Sequence, residues 1–365
     1  MKNIYYILLL AFAALLAGCE RHSVDPGTEV YPGAYIFLDA KVVETKGNLY
    51  NKAKLPIAKN TSFGVYGLRQ DGETPIFKKY IANDNSPFDN VAIMYLPERE
   101  GAFIYDKLAL WEGGEHSFYA YYIDGVKSTN AYSDTQDLIT EIGVRSTSKK
   151  AYMSYVQPDT LTKMVDVMTA KATTARCSEI LLNFEHRLFA IDVVVRNKPL
   201  KNPTTGWMEP TIPLNVIGAN VAFTVMEGAE LYFDENNTIS PSNDEFTIDH
   251  AYIKTEDNQF TIESTDSDKP RDTDYNLNQE NADGNSFLFL PCQSLKVSFE
   301  LTYLNTWGEY ATFKDDAVIT VNGGFKAGHK YQFILEKTKN SGDLIQFVPQ
   351  VVETWEEKNV DHTFN

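Results

Sequence analysis

From residue 34 onward the chain alternates between apolar and polar positions. The stretch "AYIFLDAKVVETKG" (34–47) sets Ile36, Leu38, Ala40 and Val42 on one parity and Tyr35, Phe37, Asp39, Lys41 and Val43 on the other. A period of two is the signature of a strand. Similar runs follow at 62–68 ("SFGVYGL"), 116–123 ("HSFYAYYI"), 151–156 ("AYMSYV"), 178–184 ("SEILLNF") and 188–196 ("LFAIDVVVR"). More follow at 220–226, 245–253, 286–291, 295–304, 317–321, 330–337 and 344–355. Aromatic and β-branched residues dominate these runs, and Gly, Pro, Asn and Asp collect between them. No window of about twelve residues carries a helical stripe. Short strands separated by turn signals predict an all-β chain of antiparallel sandwiches.

The pattern breaks at "RNKPLKNPTTGWMEPTIP" (196–213), which holds Pro199, Pro203, Pro210 and Pro213 and few apolar residues. Proline cannot donate to a ladder, so the segment reads as a crossing between domains or a long loop. The expected division is 34–205 and 206–365, and the length suits two domains. A second irregular stretch, 263–285, is acidic and loop-like.

Upstream of residue 34 the pattern is different. Residues 4–17, "IYYILLLAFAALLA", form one apolar run behind Lys2. It is too short to cross a bilayer comfortably and has the form of a secretory signal. It ends in Leu16-Ala17-Gly18-Cys19, which resembles the lipobox of bacterial lipoproteins. The expectation is a signal peptide over 1–18, with lipid on the Cys19 thiol as the only membrane anchor. A polar, turn-rich tether then covers 19–33.

The formal net charge is −17, and removing residues 1–18 takes away only Lys2, giving −18. Such an acidic surface repels nucleic acid and anionic membranes, so neither is an expected partner. Three cysteines, with Cys19 assigned to lipid, leave Cys177 and Cys292 far apart in sequence. Two buried free thiols are expected, with a disulfide as the other reading.

Candidate chemistry is sparse. No Gly-rich phosphate loop follows a strand, and no Gly-x-Ser-x-Gly elbow or His-Glu-x-x-His pair occurs. His186 lies between two apolar strands beside Glu185 and Arg187 and reads as structural, so no catalytic residue and no cofactor is assigned. Asp272, Asp274, Asn276, Asn278 and Asp283 approach the spacing of a calcium loop. Leu277 stands where that loop needs glycine, and Asp283 replaces its bidentate glutamate, so a solvated acidic loop is expected and no metal. The aromatic run 105–122, "YDKLALWEGGEHSFYAYY", could stack on a sugar. The alternation of Phe118, Ala120 and Tyr122 with Ser117, Tyr119 and Tyr121 favours core packing instead.

Taken together, several segments resemble the fimbrillin-like family, the type V pilus subunits of Bacteroidetes. They are the lipobox Cys19, "VVETKG" after the first strand, "FGVYGL", "LWEGGEHSFYAYY", "ILLNFEHRLFAIDVVV", "FLFLP" and "FKAGHKYQFIL" ahead of a terminal strand ending in Trp355. The resemblance implies two tandem transthyretin-like (Greek-key) β-sandwich domains without enzymatic activity. It also implies a lipidated precursor anchored in the outer membrane, cut by a trypsin-like or arginine-specific protease after its first strand, and assembled with other pilus subunits at the cell surface by strand exchange. Here the cut would fall between Lys46 and Gly47, releasing strand 34–46. Lys52 and Lys54 are the next basic candidates, and the other reading is that Lys46 only ends an exposed strand and is not cut. Lysine in place of arginine suits a trypsin-like protease and not a strictly arginine-specific one. The candidate donor strand is 344–355, with Ile345, Phe347, Val351 and Trp355 on one parity. Pro349 is expected to split that run into two short strands, either donated or kept in the core. The rival reading is a monomeric outer-membrane surface lipoprotein that binds glycan or a host ligand.

Overall fold

Alternation in the sequence becomes alternation of burial in space. Along β18 (Cys292–Leu304) Leu295, Val297, Phe299, Leu301 and Tyr303 are buried, while Ser294, Lys296 and Ser298 face out. The computed structural model describes residues 36, 38–42, 62–69, 76, 90–96, 102–104, 110–111, 113–123, 138–145, 147–175, 180–197, 204–207, 214–253, 260–262, 273–280, 286–305, 307–341 and 344–353. In chain order the strands of the first half are β1 (Leu38–Val42), β2 (Ser62–Leu68), β3 (Asn90–Leu96), β4 (Ala102–Ile104), β5 (His116–Ile123), β6 (Ile139–Val144), β7 (Ala151–Val156), β8 (Val167–Thr174), β9 (Ile180–His186) and β10 (Phe189–Asn197). Those of the second half are β11 (Leu214–Met226), β12 (Gly228–Tyr232), β13 (Ile239–Pro241), β14 (Glu245–Ile253), β15 (Phe260–Ile262), β16 (Thr273–Asn276), β17 (Phe287–Phe289), β18, β19 (Tyr310–Phe325), β20 (Lys330–Ser341) and β21 (Leu344–Glu353). Helical structure among the described residues amounts to single 3₁₀ turns at Leu161–Lys163 and Leu277–Glu280. The protein is all-β.

The strands form four sheets. The first has the order β1-β9-β8-β5-β2-β3-β4. All its pairs are antiparallel except β1 with β9. Its edge strands β1 and β4 also approach one another, so the sheet curls. Inside lie Ile36, Leu38, Phe63, Val65, Trp111, Phe118, Tyr122, Leu182 and Phe184. Gly64 is needed here because Tyr121, its cross-strand partner, lies over it. A Cβ at Gly64 would sit 2.2 Å from the Tyr121 ring.

The second sheet, β16-β10-β20-β21, has β17 as a further partner of β10; the third is β14-β11-β18-β19, with β15 on β11. These two sheets face each other as a sandwich. Phe223 and Phe299 of the third meet Phe333 of the second at centroid separations of 6.0 and 5.7 Å, and Phe223 also meets Phe289 at 5.3 Å. Tilted and edge-on rings of this kind fill a core densely.

A fourth sheet, β13-β12-β7-β6, joins the two halves of the chain. Hydrogen bonding therefore does not follow a division at 205. The hairpin β6–β7 pairs with β12 from the later half, and β10 pairs with β16, β17 and β20. The chain turns from the third sheet into the fourth at Gly228, where a Cβ would come within 2.4 Å of the Tyr155 carbonyl oxygen. The smaller buried cluster draws on residues from Ile36 to Phe184, and the larger takes in Tyr121, Ile123 and side chains between Ile139 and Val167 as well as those from Leu188 onward.

Candidate functional site

With no catalytic constellation expected, the functional question concerns the two terminal edge strands and what holds the sheets between them. Residues 38–42 do belong to a sheet. β1 runs parallel to β9 in the register Leu38↔Ile180 through Val42↔Phe184. Ile36 is fully buried and Leu38 nearly so, in a cluster with Ile180, Leu182 and Phe184. Phe184 in turn meets Phe63 edge-on at 5.3 Å. Because β1 is the outermost strand, one side of its ladder faces away from the sheet. Its departure would uncover the edge of β9 and the apolar row Ile180, Leu182 and Phe184. Such an edge accepts any extended segment that can pair with it. Cys19, Lys46 and Gly47 lie outside the described residues.

At the other end, β21 is the outer strand of the second sheet. It pairs antiparallel with β20 from Tyr331↔Glu353 to Ser341↔Leu344. The candidate donor residues Ile345, Phe347 and Val351 stand opposite Asn340, Lys337 and Phe333. Val351 is partly buried against the main core. Trp355 lies outside the described residues. Pro349 does not divide this strand: Leu344–Glu353 is continuous, with Pro349 opposite Leu335. An edge position explains it, since one side of the strand needs no donors and proline's missing N–H is tolerated there.

Between the two edges lies a polar junction. His186, at the end of β9, has its Nδ1 2.5 Å from Asp166 Oδ2, both side chains being buried. Its hydrogen-bonding partner is thus Asp166, twenty residues upstream, which the local sequence did not indicate. Arg187 follows and is also buried. It donates to Thr169 Oγ1, the carbonyls of Tyr232, Asn237 and Thr238, and Asn237 Oδ1. Asn237 has φ +49° and also donates from Nδ2 to Glu185. Burial pulls the Arg187 guanidinium down to about 10, against the opposing pull of Asp234 and Glu185. The turn between β12 and β13 is thereby fastened to the β9–β10 corner. Only the adjacency of His186 and Arg187 to two apolar strands was visible in the sequence.

The other sequence candidates have structural roles in their described parts. Leu277 is fully buried, and Asn278 accepts hydrogen bonds at Oδ1 from the Val193 amide and the Tyr252 hydroxyl. Asn276 donates to Asp192, whose carboxylate also accepts from Ser286 and pairs with Lys330 at 2.9 Å. These groups serve the protein's own backbone and side chains; Asp272 and Asp283 lie outside the described residues. In the aromatic run, Trp111 is buried and stacked on His116 at 4.0 Å, and Phe118, Tyr121 and Tyr122 are buried. The two parities of β5 enter different clusters, Phe118, Ala120 and Tyr122 one and Tyr121 and Ile123 the other. These rings are core. Cys292 is a free thiol pushed up to about 12 by burial, against a lowering hydrogen bond from Ser294, while Cys177 lies outside the described residues. No group of three or more His, Cys, Asp or Glu suited to a metal occurs among the described residues.

The chain is similar in fold to a fimbrial protein from Bacteroides vulgatus, with 15% identity and a TM-score of 0.53 over 87% of this chain and 99% of that one. It also aligns with a putative adhesin from Bacteroides thetaiotaomicron at 10% identity and a TM-score of 0.47, covering 90% of this chain and 98% of the other. The fimbrial anchor protein Mfa2 from Porphyromonas gingivalis aligns at 11% identity and a TM-score of 0.38, over 88% of this chain and 98% of that one. No curated protein matches it in sequence. The family model described as fimbrillin-like matches residues 48–355, most of the length. On that match the chain belongs to the fimbrillin-like family.

Proposed function

We propose that the protein is a structural subunit of a type V fimbria, exported as a precursor lipidated on Cys19 and assembled with other subunits by protease-triggered strand exchange. The observation that carries this reading is the placement of β1: a five-residue edge strand, parallel to β9, with Ile36 and Leu38 plugging an apolar row. A cut at Lys46–Gly47 by a trypsin-like protease leaves residues 19–46 held by non-covalent contacts alone. Release of that segment opens a groove in which backbone groups and apolar side chains await a partner. Exposed apolar surface costs about 25 cal/mol per Å², and each backbone group left unpaired away from water about 1–3 kcal/mol. An extended segment of a neighbouring subunit recovers both. Until the cut, β1 holds the groove closed and prevents early assembly.

In this reading β21 stays with its own sheet, since all ten of its residues pair with β20. A subunit whose tail is engaged in this way suits a tip or anchor position better than a stalk. Localisation at the outer membrane and cell surface follows from lipidation before the cut and fimbrial incorporation after it.

The test compares the purified chain before and after limited trypsin treatment, on denaturing gels without boiling and by N-terminal sequencing. A ladder that appears only after cleavage, with chains beginning at Gly47, supports exchange. Assembled fibres whose chains still begin at Cys19 would refute it.

A further inference from the structure

We infer that Lys337 and Asn197 are joined in the mature protein by an intramolecular isopeptide bond, Nζ of Lys337 to Cγ of Asn197. Asn197 ends β10 and Lys337 lies on β20. These strands are parallel neighbours with Arg196 opposite Glu336, so the next residues along each strand face one another. Val193 and Val195 on β10, and Phe333 and Leu335 on β20, point into the shared core. By the two-residue period Asn197 and Lys337 continue those rows inward. Both are buried, Asn197 completely and Lys337 to within 2%. The Lys337 ammonium donates to Asn197 Oδ1 at 3.0 Å.

This is an unusual place for a lysine. Lysine stems normally carry the ammonium out to water, and a fully buried one is as a rule paired with a carboxylate. The partner here is a neutral amide, whereas Arg196 and Glu336, a charge pair on these same strands, lie one residue back on the opposite face. Burial draws the Lys337 ammonium below the ordinary lysine range. That enriches the free amine, the nucleophilic form. The amide is held against it by two strands in fixed register, which replaces a bimolecular encounter with a positioned one. The terminal torsion of asparagine is broad, so a small rotation turns the face of Cγ toward Nζ.

The reaction balances without an oxidant or cofactor. The Nζ lone pair attacks Cγ and forms the new C–N bond, while the carbonyl π pair moves onto Oδ1. Collapse of that intermediate breaks Cγ–Nδ2, and a proton passes from Nζ to the departing nitrogen. Starting from the ammonium and the amide, the products are a secondary amide and an ammonium ion. The bond closes a covalent loop between residues 140 apart in sequence. It ties β20 to β10 on the side away from β21, so the second sheet would keep β20 under tension even with its outer strand displaced.

Mass spectrometry of the purified full-length chain decides the matter. The expected intact mass falls short of the sequence mass, after any terminal processing, by one ammonia. A tryptic digest should yield a branched species joining residues 197–201 to residues 331–339, because trypsin does not cut at an acylated lysine. Lys337→Arg and Asn197→Ala should each restore the full mass and release the linear peptides. Linear peptides 197–201 and 331–337 from the wild-type chain, at unaltered mass, overturn the proposal. So does an ammonia loss that maps to cyclisation at a single residue. The wild-type measurement suffices even where a variant fails to fold.

Discussion

The first and last described strands are both edge strands and both candidates for exchange, yet β1 is apolar on one parity and β21 on two, and they are held very differently. β1 is five residues long and pairs in parallel with β9; β21 is ten residues long and pairs antiparallel with β20 throughout. Parallel pairing is slightly weaker per residue, and the shorter ladder has fewer bonds. β1 is fixed mainly by Ile36 and Leu38 entering the smaller of the two buried clusters. β21 borders β20, whose Tyr331, Phe333 and Leu335 belong to the larger one. Apolarity in the sequence marks both strands as buried; length and direction of pairing decide which is easier to release. By that measure β1 is the one to leave.

The severest way to break this comparison is to delete each strand. Removing 344–365 strips β20 of its outer neighbour, and the expected result is loss of soluble folded monomer. Removing 1–46 should leave the sandwich of the second and third sheets folded, with a separate, lower-temperature transition for the first sheet. Calorimetry and soluble yield read both. A reversed order of severity would sink the assignment of β1 as the removable strand.

Point substitutions sharpen the contrast. Leu38→Ala should cost about 2–5 kcal/mol, the usual range for a buried leucine. Val351, only partly buried, should cost about 1 kcal/mol as alanine. The two side chains sit in different clusters, so their effects should add within about 0.5 kcal/mol. Chemical denaturation of both single variants and the double variant measures this, and a larger coupling would mean that the two edges are not independent.

The elements themselves were largely legible in the sequence. The aromatic and β-branched runs at 62–68, 116–123 and 188–196 match β2, β5 and β10. Partners were not legible. β10 reads as one more apolar strand before a proline-rich segment, and nothing in its residues says that it pairs with β20, some 140 positions on. Pro349 was misleading for a related reason: its effect depends on whether the strand is an edge, which only the assembled sheet decides. The junction was least visible, because Asp166, Arg187 and Asn237 are spread over three segments and become a cluster only through pairing.

That junction lies where the sheet of β1 passes into the sheet of β21, at the β9–β10 corner, and supplies the third test. Arg187→Met keeps the apolar stem but leaves the carbonyls of Tyr232, Asn237 and Thr238 without this donor. A loss of about 1–3 kcal/mol is expected. If the corner carries no coupling, the variant should lower both thermal transitions equally. The arrangement predicts a wider separation between them, because the tie between the β12–β13 turn and the first sheet is what is removed.

The smallest effect expected is also the most specific, since acid should loosen the junction before it touches either edge. β1 and β21 are held by backbone pairing and by apolar side chains such as Leu38 and Val351, which do not titrate. At the β12–β13 turn, burial pushes the Asp234 carboxyl upward. Bonds from the Thr238 amide and side chain and from the Lys150 ammonium outweigh it and hold the carboxyl at about 2, below its ordinary 3.8. A carboxyl depressed in the folded state contributes stability that is fully present above about pH 4 and is lost as pH falls through about 2. Solvent screening on this turn keeps the contribution to about 1 kcal/mol. Asp234→Asn should therefore lower stability at pH 7, and its deficit against the wild type should shrink toward pH 2. A deficit that stays constant over that interval would show that the turn is held by geometry alone, and that charge adds nothing to the tie between the two halves.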